Sequence, residues 1–351
     1  MSTVALRGLK ILVTGGAGYI GSVCVERLLE ARCEVAVFDN LSEGHRAAVD
    51  SRAELIVGDL LDRTAVRTAI TTVRPDAVLH FAAHASVAES MRMPGKYFRN
   101  NVVAGLNLLE AMAEAGVRRL VFSSTCATYG LPTAPLIDEL MPQAPINPYG
   151  ESKLMFEQMA DWFGGTQGMT MVGLRFFNVA GASCSRGEDH RVESHLIPNL
   201  LQVALGQKAS VEVYGRDYHT PDGTCVRDYV HVLDVVSAHL AALTAAQSGY
   251  FNLGSGRGHS VGEVVACCRH VTGHAIPVVY GSRRAGDPSH LVADIRKIEG
   301  RLGWVPRHSA LPEIVRSAWA WHRKHPRGYD RDAYEAEAQV TGLARGSART
   351  S

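Results

Sequence analysis

The chain has 351 residues, 46% hydrophobic and 20% charged, with 36 basic and 35 acidic residues and a formal charge of +1. Such a composition supplies a large core in one large or two fused domains and excludes a fibre or a largely disordered chain. The near-even charge balance excludes a global field for nucleic acid or an anionic membrane, so any anionic ligand must be held locally.

The N-terminus, MSTVALRGLKILVTGG, runs into a strand and glycines without a long apolar leader, and nowhere is there an uncharged apolar run of bilayer length. A soluble, cytoplasmic protein is expected. Its seven cysteines are odd in number and lack C-x-x-C spacing. They read as small buried hydrophobes in a reducing compartment, and no metal site is expected.

Residues 10–14 (KILVT) form a short β-rich run ending at Gly15-Gly16-Ala17-Gly18-Tyr19-Ile20-Gly21, and SVCVERLLEAR then reads as an amphipathic helix. Residues 34–38 predict a second strand closed by Asp39-Asn40, residues 55–58 a third ending in Asp59, and residues 77–81 a fourth. Apolar positions Val102, Leu106, Leu109 and Met112 predict a helix over 97–115, and residues 119–123 and 171–175 predict the fifth and sixth strands. Strands alternating with helices at this spacing indicate βαβ units and an α/β fold, a Rossmann-type doubly wound parallel sheet. After Asn178 the regularity weakens. The expected division is a dinucleotide-binding domain over 8–179, a smaller mixed α/β substrate domain mainly over 180–329, and a flexible tail over 330–351.

Gly15-x-x-Gly18-x-x-Gly21 sits between a strand and a helix, where glycines permit a tight turn and close approach to a pyrophosphate held at the helix N-terminus. Asp39, at the end of the next strand, is placed to accept hydrogen bonds from an adenosine ribose and to repel a 2′-phosphate, which favours NAD over NADP. Asp59 is placed for the adenine amino group. Tyr149 and Lys153, at i and i+4 of a predicted helix behind Pro148, share one face. A free phenol titrates near ~10, and an adjacent ammonium brings it towards useful base strength. Thr125, beyond the fifth strand, can hydrogen-bond both a substrate hydroxyl and that phenol. Ser123 and Ser124 read more simply as hydroxyls satisfying strand-end backbone groups.

TGGAGYIG, HFAA at 80–83, SSTCATYG at 123–130, NPYGESK at 147–153 and RFFNVAGA at 175–182 together resemble the extended short-chain dehydrogenase/reductase family. With DGTCVRDYVHV at 222–232 and RRAGD at 283–287, the chain is most similar to the UDP-galactose (UDP-glucose) 4-epimerase family, collinearly over residues 8–329. That resemblance implies a tightly held NAD that is returned unchanged, a homodimer, and a UDP-sugar substrate. It implies that Tyr149 removes the 4-hydroxyl proton while C4 gives its hydride to the nicotinamide. The 4-keto sugar then rotates and takes the hydride back on its other face. Lys153 would lower the Tyr149 pKa and bind the nicotinamide ribose, and Thr125 would hold the 4-oxygen. Tyr19, Ile20, Asp39, Asn40, Asp59, Leu60, Phe81, Ala82, Ala85, Asn101 and Phe177 would line the cofactor. Asn178, Arg227, Arg284 and Asp287 fall on diphosphate and ribose positions, and Tyr214 on a uracil-stacking aromatic. Guanidinium forks suit a diphosphate bound by a nearly neutral chain.

Two positions depart from the family pattern. His195 stands where many relatives carry an Asn that touches the nucleotide sugar, and a neutral imidazole can donate one bond there. Leu291 occupies the position that gates the sugar pocket and is intermediate between a residue that excludes N-acetylated sugars and one that admits them. Dehydration is disfavoured, because Cys126-Ala127 follow Thr125 where dehydratases carry Asp-Glu. The Glu of decarboxylating relatives is also absent. Epimerases of UDP-xylose, UDP-GlcNAc or UDP-glucuronate remain alternatives, as do a dehydrogenase releasing NADH and a non-catalytic NAD-binding regulator.

Overall fold

The computed structural model describes residues 3–132, 134–284 and 287–329, so the expected tail over 330–351 lies outside the described residues. The elements in chain order are β1 (Lys10–Thr14), α1 (Tyr19–Glu30), β2 (Glu34–Asp39), β3 (Glu54–Val57), α2 (Arg63–Val73), β4 (Ala77–His80), α3 (Val87–Arg92) and α4 (Pro94–Tyr97). A π-helical stretch (Phe98–Val103) leads into α5 (Ala104–Glu114), followed by β5 (Arg119–Thr125), α6 (Pro148–Gln167), β6 (Thr170–Phe176), β7 (Asn178–Ala180) and α7 (Leu196–Ala204). The remainder is β8 (Val211–Tyr214), β9 (Val226–His231), α8 (Val232–Ala242), β10 (Gly249–Leu253), β11 (Gly258–Ser260), α9 (Val261–Thr272), β12 (Val278–Gly281), β13 (His290–Leu291), α10 (Arg296–Leu302) and α11 (Leu311–Lys324).

The main sheet is parallel, in the order β10-β6-β5-β4-β1-β2-β3, and reverses direction of winding between β1 and β4. Both faces are covered, as parallel sheets require. Ile11, Val13, Val121, Val172 and Leu174 point to one core with α1 and α8, whereas Leu12, Val78, Leu120 and Phe122 point to the other with α2, α5 and α6. The period-2 alternation within each strand therefore feeds two layers rather than one.

Sequence periodicity finds the first six strands within a residue or two, but not the seventh. Its β10 comes from the loop-rich half, and α8 and α10 pack beside it, with Val235, Phe251, Ile298 and Trp304 in the same core as Val13. The C-terminal half thus both completes the main sheet and carries a separate small sheet, in which β7, β11 and β13 all pair with β9, beside a two-stranded β8–β12 ribbon. The expected 97–115 helix is continuous but changes to π-helix around Asn101, an insertion of the kind that re-aims side chains near sites. At its close crossing with α6, a Cβ on Gly105 would sit 2.5 Å from the Phe156 ring.

The cysteine expectation needs one correction. All seven are free and Cys24, Cys33, Cys225 and Cys268 are buried, but Cys184 is exposed on the segment between β7 and α7. Among the described residues no helix is long and apolar enough to cross a membrane.

Candidate active site

The glycine turn between β1 and α1 is shaped by close backbone approach. Gly15 has φ +73°, and a Cβ there would lie 2.4 Å from the Ala82 nitrogen, while one on Gly21 would lie 2.1 Å from the Gly15 carbonyl. Gly18 is different: its Cβ direction is nearly open, and it starts α1 without a side-chain cap. The first-turn amides of Tyr19 and Ile20 therefore face outward with the positive end of the helix dipole behind them, a fit to the pyrophosphate of NAD. Asp39 braces this turn, accepting from Ala17 N at 3.0 Å and Leu41 N at 2.8 Å. Burial raises its pKa, opposed by those two N–H bonds. Asn40 donates to Asp59 at 2.9 Å, so the two residues expected at the adenosine end hold each other.

Several expected cofactor-lining side chains have structural partners instead. Tyr19 donates its hydroxyl to the Gly181 carbonyl at 2.6 Å, which ties α1 to β7 and leaves only its backbone for a cofactor. The Asn101 amide is fully engaged: Oδ1 accepts from His84 N, and Nδ2 donates to His84 O and Ser152 Oγ. It fixes the loop after β4 to α6 rather than offering a free group. Leu60 and Phe177 are buried, and the Phe81 ring lies tilted against His239 with ring centroids 4.7 Å apart. Phe81 and Ala82 continue β4 by donating their backbone N–H groups to the Thr14 carbonyl, directly beside the glycine turn.

The catalytic candidates converge at the carboxyl edge of β5. Asn147 caps α6 through Gly150 N at 2.8 Å, Pro148 occupies the first turn, and Gly150 lies so close to Ala127 O that a Cβ would sit 2.6 Å away. These features press the start of α6 against the turn after Thr125. Burial pushes the Tyr149 pKa up to about 12, and a hydrogen bond from the Thr125 side chain acts against that rise. Lys153 is buried and donates to the Ser123 carbonyl at 2.8 Å and hydroxyl at 3.2 Å. Burial lowers its pKa to about 8, against the favourable charge of Glu157. The expected lowering of Tyr149 by Lys153 is thus absent here: the ammonium is turned to Ser123, and Thr125 is the group that eases the phenol. Beside them, His80 bonds Thr14 Oγ1 at 2.7 Å, and burial followed by the nearby Lys153 charge lowers its pKa to about 3. That imidazole is neutral and fastens the ends of β1 and β4.

On the opposite side, Asn178 on β7 is in register with Tyr229 on β9, and Leu291 on β13 is in register with Arg227. Arg227 is buried and pairs with Asp287 at 2.5 Å. Arg284 lies 3.9 Å over the Tyr214 ring, so one face of the expected stacking aromatic already carries a guanidinium. Leu291 packs with Tyr129, Ile137 and Phe177. His195, expected as a neutral donor, instead stands at the N-cap position of α7 with its ring turned to Glu188 at 2.6 Å. Although partial desolvation opposes it, the carboxylates of Glu188 and Glu193 raise its pKa to about 9, so it is an imidazolium at neutral pH.

Comparison with known proteins gives this geometry a family. The NAD dependent epimerase/dehydratase family model matches residues 11–254, from β1 through β10. The chain belongs to that family. It is 49% identical over 327 residues to a UDP-glucose 4-epimerase of Halalkalibacterium halodurans, covering 92% of this chain and 98% of the relative. Among solved structures, a crystal structure of UDP-glucose 4-epimerase superposes with TM-score 0.89 and 46% identity, covering 92% of this chain and 99% of the other. The Brucella ovis UDP-glucose 4-epimerase in complex with NAD does so with TM-score 0.86 and 42% identity, over 89% and 98% of the two chains.

Within this epimerase fold the sequence reading missed the groups behind the site. Ser123, assigned only a strand-end role, holds Lys153. Ser124 donates to Glu157 at 2.5 Å, and Glu157 forks with Arg175, which also reaches the Tyr129 hydroxyl at 2.8 Å. One signal was available: Glu157 lies four residues beyond Lys153, on the same helix face as Tyr149.

Proposed function

We propose that this enzyme interconverts UDP-glucose and UDP-galactose by oxidation and re-reduction at sugar C4, with NAD retained throughout. The observation that carries the reading is the meeting of Thr125, Tyr149 and Lys153 at one sheet edge, next to a glycine turn shaped for a dinucleotide. When bound, NAD accepts the C4 hydride and gives it back. Tyr149 takes the 4-hydroxyl proton, and Thr125 holds that oxygen while easing the phenol towards phenolate. Lys153 has only to rotate from Ser123 to supply its charge to the phenolate and its donors to a ribose hydroxyl. A buried ammonium with pKa about 8 is readily drawn to such an anion.

Residues 180–329 supply most of the UDP-sugar contacts in this reading, joined by Thr125, Tyr149 and Asn178, and residues 8–179 supply the NAD contacts, with Arg227 and Asp287 exchanging their mutual pair for diphosphate and ribose. We assign the chain to a cytoplasmic homodimer joined through the 97–115 helix and α6. In support, Val103, Met155 and Trp162 expose apolar surface there, Trp162 at 75%.

Incubating the purified protein with UDP-galactose, without added NAD, and resolving the UDP-sugars tests the reading. UDP-glucose should form, and Tyr149→Phe should abolish it. A folded protein that converts nothing even with NAD supplied overturns the glucose/galactose assignment. Conversion of UDP-GlcNAc in parallel would mean that Leu291 leaves the pocket open to N-acetyl groups.

A further inference from the structure

Outside the catalytic edge, Glu188, His190 and His195 converge on one point. His190 Nε2 lies 3.2 Å and His195 Nδ1 2.6 Å from the same Glu188 oxygen, and the three ligand atoms lie within 4.8 Å of one another. Glu193 Oε1 is 3.6 Å from His195 Nδ1, so a second carboxylate adjoins the group. The Glu188 side chain is almost wholly buried at 5% exposure, whereas His195 is half-exposed. One ligand is therefore fixed in the wall and another is reachable from solvent.

We propose that Glu188, His190 and His195 form a binding site for a divalent transition-metal ion of the zinc type. Two imidazoles with one carboxylate make a donor set that zinc takes with an open fourth position. Zinc ligand bonds of roughly 2.0–2.2 Å put neighbouring ligand atoms about 3.3 Å apart, so the His190–Glu188 spacing already suits an ion and His195 has to retreat by a fraction of an ångström. Glu188, His190 and Glu193 also line a cavity of 380 Å³ that they share with His322 and His325. Space for a bound water or a small anion is therefore present.

The site has a structural consequence. The segment that carries it crosses from the cofactor side to the substrate side: Arg191 donates to the carbonyls of Leu41 and Ser42 after β2, and His195 begins α7. An ion here cross-links that bridge. On the proposed function, it also withdraws His195 from the nucleotide sugar, so the ion acts as an inhibitor.

Cobalt titration of the purified protein without substrate, read by visible absorption, tests the site apart from the activity. The expected result is one equivalent of Co2+ with the intense bands of low-coordinate nitrogen and oxygen ligation, displaced by Zn2+. Imidazole must be deprotonated to ligate, so affinity should weaken at lower pH. His190→Ala should weaken binding at least tenfold while leaving UDP-galactose turnover intact and less sensitive to Zn2+; Glu188→Gln repeats the binding test should the first variant fold poorly. Absence of cobalt binding overturns the proposal. So does unchanged binding in His190→Ala, or a thiolate charge-transfer band assigning the ion to exposed Cys184.

Discussion

Glu157 and Arg175 face each other from α6 and β6 in a two-bond fork, Nε to Oε1 at 3.0 Å and Nη2 to Oε2 at 2.7 Å, with both side chains at or below 5% exposure. Ser124 joins the fork next to Thr125, and Glu157 lies one helical turn beyond Lys153. The pair thus stands behind both halves of the catalytic edge. Removing one partner of a buried pair leaves an uncompensated charge and costs about 3–5 kcal/mol.

Glu157→Gln is expected to lower stability by about that amount in denaturant unfolding and to depress the Lys153 pKa below its present value of about 8, because the Glu157 charge now supports the ammonium. The alkaline limb of the pH–rate profile should move to lower pH in the variant. A stability loss with an unmoved profile would reduce the fork to a packing device.

Lys153 itself makes stability depend on pH. Its folded pKa of about 8 lies below the ordinary 10.5, so the folded state binds fewer protons than the unfolded state between those values. Its burial penalty is present in full below about pH 8 and is relieved as pH rises towards 10.5, so this residue adds stability in that window. Denaturant unfolding at pH 7.5 and 9.5 should show the rise in the wild type and its absence in Lys153→Met. Equal slopes in the two proteins would contradict the assignment.

Thr125→Ala should lower kcat by roughly 10- to 100-fold, the range for losing a hydrogen bond of about 1.5–3 kcal/mol to a developing charge. Thr125→Ser should recover most of it. The hydroxyl also accepts from Ala127 N at 3.1 Å, so a modest loss of stability accompanies the alanine variant. Tyr149→Phe should lower kcat at least about 100-fold, the scale of a lost general base. NAD content after purification should stay unchanged in both, and a protein stripped of NAD would show that the side chains hold the cofactor rather than the reacting oxygen.

Gly15→Ala should purify without NAD. The added Cβ would collide with the Ala82 backbone at 2.4 Å, at a φ of +73° that side chains disfavour. Gly18→Ala meets only the Gly15 carbonyl at 3.4 Å and should retain the fold. Cofactor content by absorbance after denaturation distinguishes them, and equal NAD in wild type and Gly15→Ala would refute the close-approach argument.

Short apolar β-rich runs, a glycine turn and an i,i+4 pair are local or single-helix patterns, so the sequence alone determined the first six strands, the dinucleotide turn and the Tyr149–Lys153 face. The seventh strand escaped because β10 lies in the loop-rich half, outside the regular strand–helix alternation, and its place beside β6 depends on contacts across the chain. The direction in which Lys153 points, the engagement of Asn101 and Tyr19, and the pairing of Arg227 with Asp287 depend on partners as many as 162 residues away. Periodicity reports which face a residue occupies. Which of several polar neighbours it bonds is decided only when those distant segments are packed together and each buried polar group must find a partner. The charge of His195 belongs to the same class: its sequence context reads as a neutral donor, and the tertiary approach of Glu188 makes it an imidazolium.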